Sequence, residues 1–123
     1  DTVTLAPELV RMTLNMAMTH TDATRSVYGK RLVYGGHTIS IAAAQLSRIL
    51  PNMVTVMGWF HCDHVGPVFE QDILTTRVTL LEKHATTSGG IACLHVETYA
   101  LRDPSDPTAE TKVLDWRMAA LFA

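Results

Sequence analysis

The chain is short of the features that usually place a protein quickly. It has only two cysteines, Cys62 and Cys93, in 123 residues. No disulfide framework can be built from so few, and both are read as reduced thiols of a cytoplasmic protein. Neither sign of charge dominates: 10 Lys and Arg against 12 Asp and Glu leave a net charge of −2. That balance gives no electrostatic footing for nucleic acid or for an anionic membrane. No apolar run approaches the roughly 20 residues that a spanning helix needs. The first residues, DTVTLAPE, show neither the basic start nor the apolar stretch of a signal peptide. There is no initiator Met, and the chain is expected to be a processed or partial piece of a longer protein.

What is present is an ordinary globular balance, 47% hydrophobic and 18% charged. Residues 1–123 are read as one domain large enough to bury a core without staples. The chain is organised around Lys30–Pro51, KRLVYGGHTISIAAAQLSRILP. A short extended lead-in, Arg31 to Tyr34, meets Gly35-Gly36, which are read as a tight turn. A helix then begins at His37 or Thr38, with Thr38 as N-cap. Its stripe is Ile39, Ala42, Ala43, Leu46, Ile49 and Leu50, and Pro51 stops it. Glycines opening a buried helix can offer backbone N–H groups to a ligand.

Upstream, Thr2 to Ala6 reads as a strand. A helix with Pro7 in its first turn follows, running from Glu8 to about Thr19. His20 to Gly29 is polar and aperiodic, a loop. Downstream of Pro51 the pattern is strands: Met53 to Val65, with a bulge at Gly58, then Ile73 to Lys83, Ile91 to Leu101, and Thr111 to Phe122. A run of strands after a helix, without βαβ alternation, predicts α+β with an antiparallel sheet wrapped around the central helix. The outer side of such a sheet invites a second copy or a sister domain.

The residues that carry chemistry are few. His20 and Asp22 are two apart on a loop, where their side chains can converge as an acid/base couple. The bland reading is a polar loop at a helix end. His37 stands at the helix start. The run His61-Cys62-Asp63-His64 invites a metal, but a strand sends His61 and Asp63 to one side and Cys62 and His64 to the other. No single ion takes all four, so no metal is expected there. Asp63 or His64 bordering a ligand pocket is the better reading, while His84 and His95 are read as structural or exposed.

At KRLVYGG the chain resembles the MaoC-like branch of the hot-dog fold, the branch of the R-specific 2-enoyl-CoA hydratases and acyl dehydratases. There an R-P-I-V-H-G-M lead-in precedes the central helix. The family's P-V-x-x-G-D-x-L turn is matched by Pro67-Val68-Phe69-Glu70-Gln71-Asp72-Ile73-Leu74, with Gln71 where glycine is usual. GGHTISIA together with CDHVGPV resembles the tandem, double hot-dog members, in which two such domains are fused.

The resemblance implies a hydro-lyase that adds water to, or removes it from, an enoyl or 3-hydroxyacyl thioester of CoA or acyl carrier protein. No cofactor is implied. The thioester carbonyl would lie at Gly35, with Tyr34, Gly36, Asp63 and His64 around the substrate. The proton would be managed by Asp22, with His20 or His37. Asp22 matches the aspartate of the family's S-G-D-x-N-P-x-H loop, but Thr24 and Arg25 replace Asn-Pro and Val27 replaces the histidine. Those departures support a second reading, a non-catalytic hot-dog half that shapes the acyl site or dimer interface for a catalytic partner. A third is a hot-dog thioesterase, with Gln45 positioning water. The partners implied are the thioester and a second hot-dog copy as a homodimer or fused half, with neither nucleic acid nor membrane.

Overall fold

The computed structural model describes residues 1–123. Four antiparallel strands, β1 (Met53–His64), β2 (Ile73–Thr86), β3 (Gly89–Leu101) and β4 (Glu110–Phe122), form one sheet in the order β1-β4-β3-β2. The four strands expected downstream of Pro51 and their antiparallel pairing are present, with ends that differ by a few residues. Register shifts bracket Gly58, between Val56 and Gly58 and between Trp59 and His61, so the bulge expected there exists.

The central helix, α3 (Gly35–Ile49), lies on one face of this sheet. Ala42 and Leu46 are buried against Leu94 and Val96 of β3 and Leu114, Trp116 and Met118 of β4. The small Ala42 and Ala43 let helix and strands approach closely, the reason a poly-Ala centre suits this position. The wrapping is less complete than expected, because Ser40, Ala44, Ser47, Arg48 and Ile49 stay exposed.

Three expectations need correction. α3 begins at Gly35, two to three residues early, with Tyr34 as a cap whose side chain makes no capping hydrogen bond. Thr38 is therefore inside the helix and 1% exposed, not its N-cap. Neither Gly35 nor Gly36 has a positive φ, so they do not serve as a tight turn. Glycine is needed for another reason, described below.

Second, residues 2–6 are not a strand. Thr2 makes one isolated bridge to Ile73, and the first helix, α1, spans Ala6–Met12 with Pro7 in its first turn. Third, the helical periodicity that continued to Thr19 does not hold the helix together. Leu14 takes a left-handed conformation, φ 57°, and α2 is only a single turn, Met18–Thr21. Met12, Leu14, Met16 and Met18 are all exposed. A periodic stripe stabilises a helix only when it has a surface to bury against, and here none is offered. The expected loop thus holds the end of α2 and a short 3₁₀ turn, Ala23–Arg25.

A second buried cluster, Val3, Ala6, Val33, Val68, Leu74, Ala100 and Val113, joins α1 and the lead-in to the sheet. Within it the Val33 N–H donates to the Val68 carbonyl at 2.8 Å, and Leu32 bridges Phe69. This short antiparallel contact has a functional consequence. It brings the start of α3 face to face with the segment that leaves β1.

Candidate functional site

Where those two segments meet, a cleft of about 410 Å³ opens at the N-terminus of α3. His20, Tyr28, Gly35, Thr38 and His64 line it, with Leu32, Val33 and Val65 to Val68 as its apolar walls. The imidazole of His64 packs directly on Gly35: a Cβ built on Gly35 would lie 2.5 Å from His64 Nε2. A Cβ on Gly36 would lie 2.0 Å from the Tyr34 hydroxyl. Glycine at both positions therefore lets His64 and Tyr34 stand where they do; any larger residue would have to displace those side chains.

The first N–H groups of a helix have no intrahelical acceptor. No backbone carbonyl outside the helix takes the Gly35 or Gly36 N–H, and Tyr34 supplies no side-chain cap. The positive end of the helix dipole reinforces them as a place for a developing negative charge.

His20 Nδ1 lies 2.6 Å from the Leu32 carbonyl, which can only accept, so Nδ1 is the donor and Nε2 is the ring nitrogen left to exchange a proton with a ligand. Burial holds the His64 imidazole below the usual histidine range, an effect Asp63 opposes in part. His64 is therefore neutral at pH 7.

The other expected residues lie elsewhere. Asp22 does not line the cleft. Its carboxylate accepts from the Thr24 hydroxyl at 2.7 Å and the Thr24 N–H at 2.9 Å, capping the 3₁₀ turn, and Arg25 stands 3.7 Å away. The Thr24 hydroxyl and N–H hold its carboxyl below the usual range. His37 is half-buried outside the cleft, with its imidazole pushed down by burial and Nδ1 without a hydrogen-bond partner. Gln45 Nε2 is engaged by Asp1 and by the Leu74 carbonyl. No Asp or Glu lines the cleft.

The run 61–64 divides as strand alternation requires. His64 faces the cleft and Cys62 packs against the inner core, while His61 and Asp63 face a hollow on the outer side of the sheet. Two cleft residues were not anticipated as such. Tyr28 sits in a stretch without period, and Thr38 had been read as a cap. Only the contact between residues 32–33 and 68–69 brings them to the site, and no local pattern marks that contact.

No protein-family model matches the chain. Its sequence is 31% identical over 97 residues to mesaconyl-CoA hydratase of Cereibacter sphaeroides, covering 79% of this chain and 28% of the relative. A Mycobacterium tuberculosis protein with a double hot-dog fold superposes with a TM-score of 0.86 and 48% identity, over 98% of this chain and 36% of that one. The chain has the hot-dog fold. A MaoC domain protein from Chloroflexus aurantiacus matches this hot-dog chain with a TM-score of 0.73 and 27% identity, covering 95% and 37% of the two. The hot-dog chain spans well under half the length of each of these relatives. No helix in it is long and apolar enough to cross a membrane.

Proposed function

We propose that this hot-dog domain binds an enoyl or 3-hydroxyacyl thioester, of CoA or acyl carrier protein, and belongs to a cytoplasmic hydratase/dehydratase. The observation that carries the reading is the open helix start at Gly35, facing a cleft with two imidazoles. The thioester carbonyl accepts from the Gly35 N–H, which stabilises the enolate that forms when water attacks the β-carbon. His20 Nε2 takes the proton of that water as the C–O bond forms and the C=C π bond breaks, then returns a proton to the α-carbon. No cofactor is required by these steps. Similarity to a mesaconyl-CoA hydratase and a double hot-dog protein supports both the reaction class and a second hot-dog domain, fused or in a dimer.

The cleft's lack of a carboxylate favours a second reading, in which this domain only cradles the thioester and its partner half supplies the acid/base pair. Hydration of crotonyl-CoA by the protein and its variants separates the two. The first reading expects His20→Gln to lower kcat by about 100-fold or more with KM little changed, the range of a lost general base. If His20→Gln is fully active while Gly35→Ala weakens binding, the cradle reading stands. If Asp22→Ala is the variant that abolishes turnover, the loop aspartate and not His20 is the base. Release of free thiol without hydration would move the activity to a thioesterase.

A further inference from the structure

The outer face of the sheet, opposite α3, carries a cluster that the cleft does not use. His61 of β1, His95 of β3 and Asp115 of β4 converge from three strands. His61 Nε2 lies 2.8 Å and His95 Nε2 2.9 Å from the same oxygen, Asp115 Oδ1. All three ligand atoms fall within 4.8 Å of one another. Two imidazole nitrogens and one carboxylate oxygen, drawn together at a solvent-open hollow of about 490 Å³, are the donor set of a first-row transition metal and not of calcium or magnesium.

The surroundings suit a cation. Lys112 Nζ bonds Asp115 Oδ2, which fixes the carboxylate's orientation from behind and keeps Oδ1 directed at the two imidazoles, the side an ion would enter. Glu97 offsets that lysine, accepting from Nζ at 2.6 Å. Asp63, paired with Asp115 across β1 and β4, lines the same hollow as Arg117. Three carboxylates thus face two fixed cations, an excess of negative charge when both imidazoles are neutral. Seating an ion at zinc-ligand distances needs each N···O contact to open by about 0.5 Å, the two imidazole nitrogens, now within 4.8 Å, to stand about 3.3 Å apart, and each ring to carry its proton on Nδ1.

We propose that His61, His95 and Asp115 bind one divalent transition-metal ion, zinc first among them, which staples the edge strand β1 to β4 and β3. Three protein ligands leave a fourth position for water or for Asp63. The site is independent of the thioester cleft, because its residues point to the opposite side of the sheet.

The test is titration of zinc chloride into metal-stripped protein by calorimetry, with cobalt(II) as a spectroscopic substitute. The expected result is one saturable site per chain, a cobalt visible spectrum of four- or five-coordinate intensity, and a rise in Tm with zinc. His61→Gln and His95→Gln should each weaken binding at least tenfold, while His84→Gln, on exposed β2, leaves it unchanged. His61 lies on an edge strand and is 40% exposed, so His61→Gln is the variant expected to fold without metal. No saturable binding at one ion per chain would overturn the proposal, as would zinc binding that survives both substitutions.

Discussion

The two faces of the one sheet obey different physics although the same strands build both. On β4, Leu114, Trp116 and Met118 point to α3 and are buried, while Asp115 and Arg117 point outward into the hollow. On β3, Leu94 and Val96 face in, and His95 and Glu97 join the outer polar network. The inner face holds by removing apolar area from water and filling volume, which is indifferent to pH. The outer face holds by charge, so its contribution changes with protonation and with whatever ion binds. One face holds the helix that forms the cleft, and the other ties the strands to one another.

The largest effect that tests this contrast lies on the inner side. Trp116 is 2% exposed, stacked edge-on against Trp59 with ring centroids 5.2 Å apart. Trp116→Ala should cost about 3–5 kcal/mol in denaturant unfolding, the range for deleting a buried aromatic. Its indole Nε1 is buried without a hydrogen-bond partner. Trp116→Phe should therefore lose far less than a cavity of its size suggests, because it also removes an orphan donor. Both losses should be the same at pH 7 and at pH 4.

Next in size is the outer face. Lys112 first, with His61 and His95 behind it, holds the Asp115 carboxyl well below the usual carboxylate range. A depressed folded pKa means the unfolded chain binds the proton more readily. The stabilisation is thus complete above the unfolded value, about 4, and is lost as pH falls further. Asp115→Asn should cost roughly 1–3 kcal/mol at pH 7, the range for losing hydrogen bonds to a charged group. Its unfolding free energy should then depend less on pH below 4 than that of the parent chain. An equal pH slope in the two would break the contrast between the faces.

How much of this was legible beforehand follows from the range of the interactions. The strands and their alternation were readable because a period of two is local, and alternation alone separated His61 from Cys62. The α3 start was misplaced by two to three residues because its boundary is set by His64 and Tyr34 crowding two glycines, contacts made in the folded chain. Leu14 shows the opposite failure, a local helical period with nothing to pack on. Asp22 was found by motif, and its capping of the 3₁₀ turn is a local act that the same sequence would support in any fold. The cleft itself, and the meeting of His61 with His95 and Asp115, join residues 20 to 54 positions apart, beyond what spacing along one strand can show.

The smallest predicted effect touches neither face and serves as the control. Gln71 sits in the Gly66–Asp72 crossing between β1 and β2 with φ 75°, left-handed backbone where the related turn has glycine. Its N–H donates to the Val3 carbonyl, and the Phe69 N–H donates to Asp72 Oδ2, so the turn is held by bonds that do not involve the Gln71 side chain. A side chain in that conformation costs about 1–2 kcal/mol, which glycine does not suffer. Glycine in turn loosens the unfolded chain by about 0.4–1 kcal/mol. Gln71→Gly should therefore raise stability by a net of about 0.5 kcal/mol. Because the gain is steric and conformational, it should be equal at pH 7 and pH 4 and should add to the loss from Asp115→Asn. A gain that vanished in acid would mean that the turn's stability depends on the buried Asp72 and its partner Arg102, and the pH-sensitive part of the fold would then extend beyond the outer face.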